Sequence, residues 1–323
     1  MESKVSTDGA QAMARHLRAR LRFKHLELLV KLGESASLHR ASSALSMTQS
    51  AATKLLQEVE QMVGAQLFER SRRGVEPTSS GKALIARAQL LLNLLQGAHE
   101  EVAAIEQGAT GHVRIGISAN AATTILTSTL TRLQSASPGV VLCAYERGPE
   151  MLDELRRGEF DCVVGRLPAH ADGPDLVSER LYDEPVCIVV RKSHPLTRLG
   201  AKPGWTDALA YDWILPHEEG AIQKALHMWF ARNRLSPPQS RFRSVSIQAN
   251  IAVVQDSDTV ALLPAGVAQR YEAQKLLSIL PLKLPVKLPP VALIMRRGEE
   301  PSAATETFIA ALKLSARQQR AAS

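Results

Sequence analysis

The stretch SLHRASSALSMTQSAATKLLQEVEQMVG, from Ser37 to Gly64, reads as two short helices joined by a tight turn. Thr48 suits the N-cap of the second helix, because its hydroxyl can accept a hydrogen bond from an unpaired backbone amide in the first turn. From there the helical pattern runs to about Val63. Its apolar positions recur at helical spacing and predict a buried stripe made of Ala52, Leu56, Val59 and Val63.

The opposite side of this second helix is polar and rich in hydrogen-bond donors. It carries Gln49, Ser50, Thr53, Lys54 and Gln57. The preceding helix contains small Ala and Ser residues that allow close helix approach, which is typical of a helix-turn-helix. Helix spacing alone fits two interpretations equally well, a DNA-binding motif and an ordinary small helical domain.

The positive charge of the chain is concentrated around this motif. The formal net charge is +7, and residues 15–90 contain 13 Lys and Arg against 6 Asp and Glu. The rest of the chain has 26 residues of each sign, so the whole excess lies in this segment. A basic segment suits a polyanion, because contacts to phosphates release bound counterions. The charge therefore favours a nucleic-acid partner over a basic surface without one.

The residues after the motif, LFERSRRGVEPTSSG, predict a β-hairpin that would form a wing. Leu67 and Phe68 would anchor its first strand, and Pro77 would end the second. The turn precedes Gly74 and carries three arginines, Arg70, Arg72 and Arg73. A guanidinium-rich tip of this kind suits contacts to phosphates or to a minor groove.

Two more helices flank the motif and the wing. A first helix is expected to begin near Phe23 and to end near Gly33 as its C-cap. Ser80 opens a long helix whose apolar residues alternate at intervals of four and three: Leu84, Ala88, Leu91, Leu95, Ala98, Val102 and Ile105. This heptad spacing predicts a coiled coil and hence a dimer. Two recognition helices related by a two-fold axis can read two half-sites on one face of DNA.

Beyond the hinge-like segment EQGATG, strands and helices alternate. Strands are predicted from VRIGIS, VVLCAY, FDCVVG, VCIVVR, WILP, SVSI, TVALLP and VALIMRR. This pattern predicts α/β lobes with a largely parallel sheet. Two lobes of this kind create a cleft at the carboxyl ends of their strands, where ligands bind.

Composition excludes several classes of protein. No apolar run reaches membrane-spanning length, and the first twenty residues lack the apolar core of a signal peptide, so we expect a cytoplasmic protein without a membrane partner. Cys143, Cys162 and Cys187 are far apart and odd in number, which predicts reduced, buried thiols rather than a zinc site or a disulfide framework. No cofactor, metal or catalytic residue is expected.

Two other functions fit parts of the sequence. An enzyme is the first, because Ser, His and Asp are present, but no Gly-x-Ser-x-Gly elbow, phosphate-binding loop or metal-spaced His pair appears. A solute-binding receptor is the second, since two lobes around a cleft would also serve uptake. The basic helix-turn-helix and the missing signal peptide argue against that receptor.

The chain resembles the LysR-type transcriptional regulators along nearly its full length. The resemblance rests on TQSAATKLLQEVE and LFERSRRGVEPTSSG, and on DCVVGR, RKSHPL and TVALLP at family-like positions. It implies an α/β fold class with an N-terminal winged helix-turn-helix, a long coiled-coil linker helix and a C-terminal two-lobed effector domain like a periplasmic binding protein. One departure is Ser50, which stands where the family usually has Pro at the start of the recognition helix.

The resemblance also implies domain bounds and partners. We expect a disordered extension over 1–20, the winged helix-turn-helix over 21–79, the linker over 80–110 and the effector domain over 111–323. Within that domain, lobe I would take 111–165 and 288–320, and lobe II 166–287. The implied partners are promoter DNA, RNA polymerase, further copies of the chain in a homotetramer that bends DNA, and a polar or anionic small-molecule effector such as a sugar or an organic or aromatic acid.

Site residues are carried over from the family by position. Those expected to bind DNA are Gln49, Ser50, Thr53, Lys54, Arg70, Arg72 and Arg73. Those expected to bind the effector are Ser118, Ala119, Asn120, Arg147, Gly148, Arg166, His217 and Gln248. The free amides of the helix after Ser118 favour an anionic or polar ligand. For either arginine alone, an ordinary surface charge is an equally good interpretation.

Overall fold

The computed structural model describes residues 17, 19–71, 74–106, 108–166, 173–199, 202–216, 221–238, 240–284 and 288–322. They form two compact units. The first contains the described residues up to Glu106 together with Arg156–Glu159, and the second contains the remainder. Within these ranges, no helix is long and apolar enough to cross a membrane.

The first unit consists of three short helices, a hairpin and a long helix. Their bounds are α1 Phe23–Ser35, α2 Leu38–Ala44, α3 Gln49–Val63, β1 Phe68–Ser71, β2 Gly74–Pro77 and α4 Ser79–Glu106. Leu28 and Leu32 of α1 are buried in one cluster with Ala52 and Val59 of α3. The prediction of a helix-turn-helix followed by a wing is confirmed.

The recognition helix α3 begins and ends where the sequence predicts. Thr48 Oγ1 accepts a hydrogen bond from the Ala51 amide at 3.2 Å. After Val63, Gly64 adopts a φ of 68°, the left-handed conformation that glycine accepts without steric cost at a helix C-cap. Of the predicted stripe, Ala52 and Val59 are fully buried, whereas Leu56 and Val63 are partly buried.

Helix α1 ends later than predicted. It continues through Gly33 to Ser35, and Ala36 takes the left-handed conformation at the C-cap. Gly33 instead permits a close approach of two helices, because a Cβ there would lie 3.0 Å from Cδ1 of Ile85 in α4. The prediction of Gly33 as the C-cap is therefore wrong.

The wing is a short antiparallel hairpin. It pairs Phe68 with Pro77 at its base and Ser71 with Gly74 at its far end. Leu67 and Phe68 are buried, as an anchor requires. The predicted tip residues Arg72 and Arg73, and the side chain of Arg70, lie outside the described part of the structure.

The second unit is built on two five-stranded sheets. Its strands are β3 Gly111–Ile117, β4 Val140–Glu146, β5 Cys162–Arg166, β6 Leu176–Tyr182, β7 Val186–Arg191, β8 Trp213–Leu215, β9 Phe242–Arg243, β10 Val260–Pro264, β11 Leu277–Ile279 and β12 Val291–Arg296. The first sheet has the order β4-β3-β5-β12-β6, and the second has the order β11-β7-β10-β8-β9.

Helices cover these sheets. They are α5 Ala119–Ala121, a π-helix Ala122–Leu126, α6 Thr127–Ala136, α7 Met151–Arg156, a 3-10 helix Pro195–Arg198, α8 Trp205–Ala208, α9 Ala221–Arg232, α10 Ile247–Gln255, α11 Ala265–Ala273 and α12 Ala303–Ala322. Leu133 and Phe308 pack on the first sheet, and Leu226 and Phe230 pack on the second. The α/β class and the two lobes agree with the sequence.

The strand directions correct one prediction, because the sheets are mixed rather than largely parallel. In the first sheet β3 runs parallel to β4 and β5, whereas β12 runs antiparallel to β5 and β6. In the second sheet β10 is parallel to β8 and antiparallel to β7. The chain leaves the first sheet after β6 and returns as β12 in the opposite direction, which alternation of elements alone cannot reveal.

Two strand predictions also change. Strand β6 pairs with β12, so the first sheet extends to Tyr182 and the predicted lobe boundary at 166 is too early. Its four residues from Val177 to Arg180 are all exposed, so it lacks the alternation that identifies a half-buried strand. The described residues of the predicted strand SVSI, 244–247, do not form a strand. Ser246 instead caps α10, because its hydroxyl accepts a hydrogen bond from the Ala249 amide at 3.3 Å.

Candidate DNA-binding surface and ligand cavity

The first two turns of α3 present four of the predicted DNA-binding residues. Gln49, Ser50 and Lys54 are exposed, and Thr53 is half-buried. The hydroxyls of Ser50 and Thr48 lie 3.0 Å apart, and Thr53 Oγ1 donates to the Gln49 carbonyl oxygen at 2.9 Å. These bonds fix the hydroxyl positions on this face before any partner binds.

A groove of about 810 Å³ runs beside this face of α3. From α3 and the wing it is bordered by Gln49, Thr53, Gln57 and Val75. From the start of α2 it is bordered by Ser37, His39 and Arg40. Hydroxyl, amide and guanidinium donors of this kind suit contacts to sugar and phosphate oxygens.

Hydrogen bonds hold the wing against the helices. Glu60 Oε1 on α3 accepts from the amides of Leu67 at 2.8 Å and Phe68 at 3.3 Å. The Thr78 hydroxyl donates to the Gln66 carbonyl oxygen at 2.9 Å and accepts from the Gly81 amide at 3.0 Å. The wing is therefore fixed to both α3 and α4.

The second unit contains a cavity of about 200 Å³ at the ends of strands from both sheets. From the first-sheet side it is lined by Ala119, Asn120 and Arg166. From the second-sheet side its lining includes Val186, Ile214, Leu262, Ile247 and Asn250. This position matches the cleft that the sequence predicts, although most of the lining is apolar.

A buried ion pair forms the polar side of the cavity. Arg166 Nη2 donates to the carbonyl oxygen of Glu184 at 2.5 Å and lies 3.4 Å from its Oε2, and Nη1 donates to the Pro289 carbonyl oxygen at 2.7 Å. Glu184 is only 4% exposed and also accepts from Asn120 Nδ2 at 2.5 Å and Thr124 Oγ1 at 2.8 Å. The carboxylate thus has partners on both of its oxygens.

Burial shifts the pKa of Arg166 in this pair and of the neighbouring Tyr182. Desolvation lowers the pKa of the Arg166 guanidinium, and the charge of Glu184 opposes that shift. Desolvation, reinforced by the charge of Glu184, raises the pKa of the Tyr182 hydroxyl. Tyr182 therefore stays neutral near pH 7.

The structure brings together three of the predicted effector residues, Ala119, Asn120 and Arg166. Ser118 lies beside them and accepts at its carbonyl oxygen from the Ala122 amide at 2.9 Å. Gln248 is exposed on α10 and is not among the described lining residues. His217 lies outside the described residues.

Arg147 and Gly148 are placed apart from the described lining of the cavity. Arg147 lies over the ring of Tyr145, 5.5 Å from its centroid, and its Nε lies 3.6 Å from Glu154 Oε1. The Gly148 amide donates to Glu150 Oε1 at 2.9 Å. Their described contacts lie in the exposed turn after β4, and their role toward an effector stays a prediction.

Sequence reasoning missed Glu184 and Asn250. Glu184 follows β6, which was not predicted, so nothing indicated that it would face Asn120 and Arg166. Asn250 lies in a predicted helix, but its burial depends on the second sheet. A polar residue inside the apolar run around α10 was the one available signal, because a buried amide group calls for hydrogen-bond partners.

Two family models match the chain. The model described as "Bacterial regulatory helix-turn-helix protein, lysR family" matches residues 23–82. The model described as "LysR substrate binding domain" matches residues 106–317. The two matches correspond to the unit with the recognition helix and to the unit with the cavity.

Individual relatives agree with these models. The chain is 32% identical over 298 residues to the HTH-type transcriptional regulator GbpR of Azospirillum brasilense, which covers 92% of this chain and 87% of the relative. It is 27% identical over 295 residues to the HTH-type transcriptional regulator PcaQ of Agrobacterium fabrum, and the match covers 91% of this chain and 94% of the relative. Its fold is similar to that of full-length CbnR complexed with target DNA, with a TM-score of 0.61 and 18% identity. This match covers 91% of this chain and 100% of the CbnR chain.

Proposed function

Because the chain belongs to the LysR family of bacterial transcriptional regulators, we propose that it reads promoter DNA as a two-fold oligomer under the control of a small molecule in its cavity. The relatives are DNA-binding regulators with an effector-binding domain, not enzymes, and this chain is one of them. The residue roles, the oligomeric state and the effector site are our proposals.

The polar face of α3 supports the proposed DNA contact. Gln49, Ser50 and Thr53 present amide and hydroxyl groups, which suit base edges in the major groove. Lys54 suits a phosphate, because its flexible ammonium gives charge without fixed geometry. The arginines Arg70, Arg72 and Arg73 are proposed to serve the wing, on the charge pattern of the sequence.

The exposed apolar seam of α4 supports the proposed oligomer. Four of its predicted heptad positions are about half exposed in a single chain: Leu91 at 49%, Leu95 at 51%, Val102 at 56% and Ile105 at 56%. A 28-residue helix with such a seam favours pairing with the same helix of a second copy, which removes the seam from water. On the family resemblance we further propose that two such dimers form a tetramer, which bends DNA and contacts RNA polymerase.

The single observation that carries the function is the pairing of a basic recognition surface with a built cavity in one chain. The cavity lies where strands of two sheets end, so an occupant contacts both sheets at once. A ligand that binds one arrangement of the two sheets better than another shifts their equilibrium. We propose that this shift is what changes DNA binding.

Fluorescence anisotropy tests the DNA-binding part of this function. Purified protein is titrated into labelled duplex from upstream of its own gene and into an unrelated duplex of equal length, at several salt concentrations. We expect the upstream duplex to bind tighter by at least about a thousandfold, the lower end for specific recognition. Equal affinity for both duplexes would contradict a sequence-specific regulator.

A further inference from the structure

The size of the cavity limits its occupant. An engineered protein cavity of about 150 Å³ holds one benzene molecule. The cavity here measures about 200 Å³, so it suits a molecule with about one ring or an equivalent short chain. Much of its wall is aliphatic, including Ile214, Leu262 and Ile247.

The charge at the cavity is already balanced within the protein. Arg166 is the one charged residue among the lining residues that the structure describes. Its guanidinium is paired with the buried carboxylate of Glu184 and donates to two carbonyl oxygens, those of Pro289 and Glu184. A ligand carboxylate that approached this guanidinium would lie close to the like charge of Glu184, which is unfavourable in a buried site.

Glu184 also accepts hydrogen bonds from the helical segment beside the cavity. Its two carboxylate oxygens accept from Asn120 and Thr124, which belong to the helical segment beginning at Ala119. The carboxylate of Glu184 thus neutralises Arg166 from within the protein, so the arginine does not require an anionic ligand.

One lining residue does require a partner. Asn250 is 6% exposed, and its Oδ1 is buried with no hydrogen-bond partner among the described residues. A buried amide oxygen without a donor is unfavourable. A ligand hydroxyl or N–H in the cavity would supply the donor.

From these features we infer that the cavity takes a small uncharged molecule with an apolar part and at least one hydroxyl or N–H donor, and that Glu184 excludes carboxylate ligands. The inference rests on the proposed effector site and deepens it. It also narrows the expectation from the sequence, a polar or anionic effector, to an uncharged one. Glu184 acts here as a specificity residue, because it neutralises Arg166 rather than touching the ligand.

The test uses matched pairs of probes that differ in charge. Thermal unfolding of the full chain is measured with glucose against glucuronate and with benzyl alcohol against benzoate, each at equal concentration. Ligands that bind the folded state raise the unfolding temperature by mass action. At least one uncharged probe should stabilise the wild type more than its acid partner does. Equal or greater stabilisation by the acids would overturn the inference, and so would the absence of stabilisation by every probe.

Two variants separate failure of the inference from failure of the proposed site. Ser244→Trp places a large side chain in the cavity from a loop, so the stabilisation by the probe should disappear. A rise in unfolding temperature that persists in this variant would mean that the probe binds elsewhere, and it would reject the effector site itself. Glu184→Gln keeps the side-chain shape and removes the charge. It should tighten binding of the acids on the order of tenfold, as expected when one nearby like charge is removed. If this variant fails to fold, the wild-type comparison alone decides.

Discussion

Oε1 of Glu60 accepts a hydrogen bond from the amide of Leu67 at 2.8 Å, which joins the recognition helix α3 to the base of the wing. A second bond from the Phe68 amide reaches the same oxygen at 3.3 Å. Bonds from amides to a carboxylate are stronger than bonds between neutral groups. The two parts of the proposed DNA surface are therefore held in one arrangement.

Glu60→Ala should loosen this arrangement. Two amides lose their acceptor, so the free energy of unfolding of the first unit should fall by about 1–3 kcal/mol. DNA affinity should fall with it, because the wing is no longer fixed against α3. Urea denaturation and fluorescence anisotropy measure the two effects. Gln61→Ala, at an exposed neighbouring position, is the control and should change stability by less than about 0.5 kcal/mol.

Lys54→Ala tests the proposed phosphate contact. The slope of log affinity against log salt concentration should become shallower by about one unit per bound subunit. Lys31→Ala removes the same charge from the same unit, but Lys31 Nζ lies 2.8 Å from Glu34 Oε2 on α1. That control should leave the slope unchanged. Identical slopes for all three proteins would reject the role of Lys54.

Charges in the seam of α4 should break the oligomer. Leu91→Lys with Leu95→Lys places two ammonium groups where the proposed coiled coil buries apolar side chains. The mass measured by light scattering should then fall toward that of a single chain. Gln96→Lys adds a charge at an exposed position away from the seam and should keep the mass. An unchanged mass in the double variant would mean that the oligomer, if formed, uses another surface.

Gly81→Ala should destabilise the first unit strongly. A Cβ at this position would lie 2.0 Å from the Leu67 carbonyl oxygen, which is backbone and also accepts from the Thr78 amide at 2.9 Å. Because neither the added Cβ nor the Leu67 carbonyl oxygen can move freely, we expect the free energy of unfolding to fall by about 2–4 kcal/mol. Denaturant unfolding measures it. Ser80→Ala, at the exposed preceding position, should be nearly neutral, and equal effects at both sites would refute the steric explanation.

His194 should make the second unit less stable in mild acid. Its ring is buried, Nδ1 accepts from the Leu196 amide at 3.1 Å, and Nε2 lies 3.0 Å from the Asp258 carbonyl oxygen. Burial lowers its pKa from 6.5, against the opposing effect of Asp258. The unfolded chain therefore binds a proton below about pH 6.5 that the folded chain does not, and stability falls as the pH drops from there through the lowered folded pKa.

His194→Gln should remove this part of the pH dependence. Urea denaturation of the second unit at about pH 7.5 and about pH 5.5 measures the loss of stability on acidification. We expect the loss to be smaller in the variant than in the wild type. His99→Gln, at an exposed position on α4, is the control and should behave as the wild type does. A variant with the same or a larger loss would contradict this assignment.

Local chemistry made the recognition region predictable from the sequence. The Thr48 cap and the hairpin ending at Pro77 depend on neighbours within about one helical turn or one tight turn, and the helical spacing of Ala52 and Val59 marks the face that α1 buries. The helix-turn-helix and wing motifs, which are local in sequence, also predicted the DNA-binding function. What failed was the end of α1, since Gly33 owes its place to Ile85, 52 positions further along the chain.

The cavity was predictable in position but not in chemistry. Ala119, Asn120 and Arg166 follow predicted strands, so their convergence at a cleft could be foreseen. Glu184 could not, because its strand β6 belongs to the first sheet only through pairing with the distant β12. That pairing brings its carboxylate to Asn120 and Arg166, which is why we propose an uncharged ligand where the sequence left a polar and an anionic one open.

Footprinting tests the central claim, that one chain couples a DNA-reading surface to a ligand cavity. The wild type and Ser244→Trp are compared on DNA upstream of the gene, with and without the probe that stabilises the wild type. We predict a long protected region for both proteins, with a cleavage pattern that changes with the probe in the wild type alone. A pattern that ignores the probe in both proteins, or changes equally in both, would contradict the claim.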